Sequence, residues 1–324
     1  MSDDLSAWVD EHVPPMAALG VAVAAVSTAA ILVRWSRAPS SVAAFYRVLF
    51  TLALIAPFAL GDHSGEFRQL SRRDAGAAVV AGVALALHFA SWFESLSWTS
   101  VAASTTLVQT QPVFVAVGAA LVLGEYVDRR VVLGIGVALC GAVVMSLADP
   151  EASVAVAGEA RIGNALAVVG AAAGAAYFLA GRSIRQRVTV FPYVTVVYAA
   201  CAATLLVVVL ARGQPLFAYP PREWLLFLGL AVGPGLFGHT VVNWALEHVR
   251  STVASVALLG EPVGATLLAL LLLSEVPTTV TLAGGGVVIA GIYLTSTARR
   301  RPDAGGAAAS SDGESGARPD DRSS

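Results

Sequence analysis

The stretch "VALLGEPVGATLLALLLLSE", residues 256–275, is an apolar run that holds two glutamates. Glu275 closes the run, as a charge at a membrane boundary does. Glu261 stands about ten residues from either end of the surrounding apolar span, near the midplane of a bilayer. A charged side chain at that depth costs several kcal/mol. The neighbouring Pro262 removes a backbone donor and frees the carbonyl of Leu258. Both features are tolerable in a membrane only where they face protein or a water-filled cavity. The stretch therefore reads as a broken membrane helix with a polar site at its centre.

The rest of the 324-residue chain agrees: it is 56% hydrophobic and only 13% charged. Apolar stretches of about 20 residues recur along it, the length of a helical span and not of an alternating barrel strand. The expected class is an all-α integral membrane protein. Ten spans are expected, near 16–34, 41–60, 75–96, 101–123, 131–148, 163–181, 192–211, 223–246, 252–273 and 280–298. Residues 1–15 form an acidic leading segment without the basic start of a signal peptide. A polar linker occupies 149–162, and 299–324 is a Gly, Ser, Asp and Arg rich tail with nothing to fold around. Arginines near span ends divide twelve to five in favour of the side of the N-terminus. That bias places both termini in the cytoplasm, in the cell membrane.

An offset of 150 residues aligns 106–125, "TLVQTQPVFVAVGAALVLGE", with the opening stretch. Pro112 meets Pro262, Glu125 meets Glu275, and Gly134 and Gly141 meet Gly284 and Gly291 without a gap. Each half has five spans, so the second half must enter the membrane upside down. Two inverted five-helix repeats are a recurrent plan of secondary transporters. The mid-span proline, the run ending "VLGE" or "LLSE", the Gly-rich last span and the mid-span Arg47 in "AAFYRVLF" together resemble the EamA repeat of the drug/metabolite transporter superfamily. The resemblance implies a ten-span permease for small organic metabolites, with both termini cytoplasmic. Ser274 departs from it, standing where the motif has glycine.

The residues set aside for substrate binding or coupling are few. Glu261 is placed to take up and release a proton, and its repeat mate is the uncharged Gln111. Arg47 sits about six residues into its span, close enough to pair with Glu261, bind an anion or snorkel to the headgroups. His88 and Trp92 share a helix face, and His239 and Asn243 form a similar stripe in the second half. Tyr177 and Tyr198 are weaker pocket candidates. Pro112, Pro262, Glu125 and Glu275 read as structural motif residues. Cys140 and Cys201, inside apolar runs, read as small core residues. "GAAAG" (170–174) and "GEPVG" (260–264) are patterns that permit close helix approach.

All 20 basic residues are arginine, so a P-loop of the form GxxxxGK[ST] does not exist in the chain. A mid-span aspartate pair and HExxH are absent as well, which speaks against an intramembrane protease. The expectation is a carrier, not an enzyme, with no cofactor and no metal. Its expected partners are a small-molecule substrate and the lipid bilayer, with no nucleic acid, with protons as candidate coupling ion, and as a monomer or homodimer. An intramembrane enzyme or a channel is the alternative.

Overall fold

The computed structural model describes residues 12–297 except 62, 96–97, 99–103, 105–106, 148–159 and 275. Glu275, most of the leading segment and of the linker, and the 299–324 tail therefore lie outside the described residues. All regular structure among the described residues is helical. The helices are α1 (Pro15–Trp35), α2 (Ser40–Leu60), α3 (Arg72–Ser95), α4 (Gln111–Val122), α5 (Arg129–Leu147) and α6 (Ala160–Arg185). They continue with α7 (Val190–Ala211), α8 (Pro221–His248), α9 (Ser251–Ala257), α10 (Glu261–Leu273) and α11 (Thr279–Ser296). Counting Ser251–Leu272 as one span, eight are long and apolar enough to cross a membrane. The count of ten turns on α4, which has 12 residues, and on α5, which opens with Arg129 and Arg130.

The repeat governs where helices begin. The first residues of α2 and α7, α4 and α10, and α5 and α11 are each 150 positions apart, and those of α3 and α8 differ from that offset by one. The prolines explain several starts, since proline fits the first turn of a helix, where no backbone donor is needed. Pro15 and Pro221 open α1 and α8. Pro112 and Pro262 stand second in α4 and α10, so each ends one helical piece and starts another. Ahead of Glu261 the chain tightens into a 3₁₀ turn at Leu258–Gly260.

Glycines set the inter-repeat packing. A Cβ at Gly134 would lie 2.8 Å from the Gly291 carbonyl oxygen, and one at Gly141 would lie 2.7 Å from that of Gly284. Gly134 corresponds to Gly284 and Gly141 to Gly291. The contacts thus pair each residue with the other residue's mate, as a two-fold axis between the helices requires. Position increases along α5 as it decreases along α11, so equivalent helices run antiparallel and the repeats are inverted. The same symmetry relates the α3–α6 contact to the α8–α1 contact, and α4–α6 to α10–α1. "GAAAG" is the α6 side of one such contact, and Gly264 of "GEPVG" seats α10 against Ser27 of α1.

Carboxylate contacts close the two ends of the bundle. At the near end, where α4 turns into α5, the Glu125 carboxylate accepts from Arg182 Nε and Ser251 Oγ, each at 2.9 Å. Beside it Arg185 pairs with Glu247, and Arg187 with Asp74 at 2.6 Å. At the far end Glu223 accepts from Ser36 Oγ at 2.5 Å and from the Arg37 amide at 2.9 Å.

Two expectations need correction. The sixth span runs past residue 181 to Arg185, whose side chain is buried instead of lying in a loop. Cys140 is exposed on the outer face of α5, and only Cys201 is a core residue. Trp98 Nε1 donates to Glu94 Oε1 at 2.9 Å.

Candidate functional site

The two broken helices place Gln111 and Glu261 as the first residues of α4 and α10. Each packs against the first helix of the opposite half. Gly174 of α6 leaves the space that Gln111 and His88 fill: a Cβ there would sit 2.5 Å from Gln111 Oε1 and 2.8 Å from His88 Nδ1. On the other side, Ser27 Oγ of α1 donates to the Glu261 backbone carbonyl at 3.1 Å. The Glu261 carboxyl itself has no hydrogen-bond partner among the described residues.

Arg47 does not snorkel. Its guanidinium is buried, lies over the Phe89 ring at 4.8 Å from the centroid, and donates to the Pro234 carbonyl at 3.3 Å. That carbonyl belongs to a π-helical segment of α8, Ala231–Thr240, in which Pro234 and the glycines of "AVGPGLFGHT" loosen the ladder. π segments widen a helix locally and are frequent at functional sites. Thr51, one turn beyond Arg47, joins α2 to the same segment by donating to the Ala231 carbonyl at 3.1 Å.

Arg47, Thr51, Phe89, Tyr198, Gly235 and His239 line a cavity of about 10 Å³. That is space for about one water molecule. The space beside Arg47 is therefore too small for an organic substrate in this conformation. His239 meets Phe89 edge-on, with ring centres 5.7 Å apart, and Tyr198 Oη lies 3.1 Å from Thr240 Oγ1.

The remaining candidates sit beside the cavity and not in its lining. His88 Nδ1 donates to the Gly170 carbonyl at 2.8 Å, and Trp92 lies over His88 with ring centres 6.0 Å apart. Trp92 Nε1 is buried without a partner among the described residues. Asn243 Nδ2 donates to Tyr177 Oη at 2.5 Å and to the His239 carbonyl at 2.7 Å, while its Oδ1 is unpaired among the described residues. The expected His239–Asn243 stripe thus splits. His239 faces the cavity, and Asn243 ties α8 to α6 on the way to the buried Arg185, whose Nε donates to the Asn243 carbonyl at 3.1 Å.

Sequence reasoning missed Phe89, Thr51 and Pro234. Phe89 had one available signal: it is the repeat mate of His239. Pro234 had another, as a helix breaker between two glycines inside an apolar span.

Inverted repeats, half-helices opening on a polar centre, and eight membrane-length helices define a multi-pass helical membrane protein. The chain belongs to the EamA-like transporter family, whose sequence model matches residues 15–147 and again 161–297, one match for each repeat. Among curated proteins, "Pseudopaline exporter CntI" from two strains of Pseudomonas aeruginosa is 29% identical over 187 residues. That alignment takes in 58% of this chain and 63% of the relative, so it spans less than two thirds of the relatives' length. A solved crystal structure of a protein 20% identical in sequence superposes with a TM-score of 0.73, over 86% of this chain and 95% of that one. This likeness speaks for the fold alone.

Proposed function

We propose that the chain is a secondary transporter that carries a small organic metabolite out across the cell membrane. Ten spans form the carrier, α4 and α5 included, with both termini in the cytoplasm. Access alternates between the two faces around the Arg47–His239–Glu261 centre, and Glu261 carries a proton in exchange for substrate. The observation behind this reading is the placement of Gln111 and Glu261 at the heads of symmetry-related half-helices in inverted repeats. Helix N-termini at mid-depth favour negative charge, and transporters of this plan hold substrate and ions there. Glu261 is the one carboxyl at that level among the described residues. The relatives' name, an exporter, supports the outward direction.

The test compares cells expressing the wild-type chain with cells expressing Glu261→Gln. Compounds enriched in the medium of the first and absent from the second are the substrates. In proteoliposomes loaded with such a compound, a pH gradient drives flux through the wild type only. Equal enrichment in both media would overturn the role of Glu261, and no enrichment in either would overturn the transporter reading.

A further inference from the structure

At the far end of the bundle a second cavity, of about 240 Å³, lies between the start of α2, the end of α3 and the end of α7. Pro39, Ser41, Ala90, Phe93 and Gln214 stand on its wall. Because the repeats are inverted, these residues have mates at the near end, in order Thr189, Phe191, Thr240, Asn243 and Ser64. The matching place lies between the start of α7, the second half of α8 and the loop after α2. There it is covered. His63, buried in that loop, stacks on Phe191 with ring centres 4.3 Å apart and planes 21° from parallel. Its Nδ1 donates to Glu66 Oε1 at 2.7 Å, and the other Glu66 oxygen accepts from Thr189 Oγ1. Phe191 and Thr189, on which this loop rests, are thus the mates of two wall residues of the far cavity.

The far end has no such cover. The mate of His63 is Gly213, with φ 61° and nothing within 4 Å of its Cβ position. The mates of Phe191 and Glu66 are Ser41 and Leu216, which can neither stack nor accept as those two do. We infer that the fold holds the same cleft at both ends, and that His63–Glu66 is a strap over the near one with His63 as its plug. Beneath the strap Thr240 Oγ1 lies 3.1 Å from Tyr198 Oη, and Tyr198 lines the Arg47 cavity, so the covered cleft leads towards the centre. A stacked pair and two hydrogen bonds hold the strap down, few enough contacts for it to lift without unfolding the helices.

Thiol accessibility of the full chain in vesicles of known orientation tests this. Cys140→Ala and Cys201→Ala remove the native thiols, Thr240→Cys reports on the near cleft, and Ala90→Cys reports on the far cavity. The probe is a membrane-impermeant methanethiosulfonate bearing a trimethylammonium group. From the near side it labels Thr240→Cys slowly, and adding His63→Gly, the residue of the far end, speeds that labelling by about tenfold. Far-side labelling of Ala90→Cys is unchanged by His63→Gly. If that variant does not fold, Glu66→Ala, which frees the strap from Thr189, gives a smaller gain of the same sign. Conversely, Gly213→His with Ser41→Phe builds the plug at the far end and slows far-side labelling of Ala90→Cys by about tenfold. Labelling of Thr240→Cys at the same rate with and without the strap contacts in folded protein, or from the far side alone, overturns the proposal. The measurement needs neither substrate flux nor Glu261, so its failure and that of the proposed function are told apart.

Discussion

Phe89 and His239 are repeat mates, 150 positions apart, and their rings pack edge to face with centres 5.7 Å apart. Residues that meet their own symmetry mate lie on the symmetry axis. The axis that passes between α5 and α11 thus also passes through the wall of the Arg47 cavity. At that point the two halves differ in chemistry, an apolar ring on one side and an imidazole on the other.

His239→Phe makes this axial pair alike. An aromatic pair is retained, so thermal unfolding in micelles shifts by no more than about 1 kcal/mol. Flux in proteoliposomes falls by about tenfold or more, because the cavity loses a hydrogen-bonding ring. Unchanged flux would remove His239 from the site.

Arg47→Met separates a structural role from a binding role. Methionine keeps the length and packing of the side chain, but the Pro234 carbonyl loses its donor, which costs about 1–3 kcal/mol. The variant is expected to fold with that modest loss of stability, and to lose transport. A large drop in unfolding temperature would make Arg47 a structural tie between α2 and α8.

The glycine seam is tested by a matched pair. Gly134→Ala places a methyl 2.8 Å from a backbone oxygen that has no room to move, and costs about 1–3 kcal/mol. Gly136, two residues along the same helix, has nothing within 4 Å of its Cβ position. Gly136→Ala therefore gains about 0.5–1 kcal/mol. Denaturation curves of the two variants in one detergent decide the matter.

Ser274 occupies the left-handed backbone region with φ 56°, as its repeat mate Gly124 does with φ 65°. A side chain in that conformation costs about 1 kcal/mol that glycine avoids. Ser274→Gly raises stability by about that amount, and Gly124→Ser lowers it by a similar amount. Equal stability of all three proteins would show that the C-cap geometry is not limiting.

The repeat, the inversion and the helix breaks at Pro112 and Pro262 were legible because proline, glycine and charge are rare and costly inside a bilayer. The same reasoning picked out Arg47 and Glu261. The direction of Arg47 was not legible, since its acceptor is a backbone carbonyl in a π segment that hydropathy does not register. Arg185 was misread because arginines beyond an apolar run look like loop residues. In the folded chain it is held by the Asn243 and Val188 carbonyls and by Glu247. Gln111 fell within reach of His88 only because Gly174 lacks a side chain, a relationship between helices far apart in sequence.

Glu125 fastens three helices at the near end through Arg182 and Ser251. The repeat position of Arg182 is Leu32, so the arginine of this bolt has no counterpart in the first repeat. Under the proposed exchange of access, the two states are then unequal in free energy although the fold that builds them is symmetric. Each 1.4 kcal/mol of that difference is about a tenfold bias in occupancy. A carrier with such a bias rests with one door shut, and substrate or proton binding must supply the free energy that opens it.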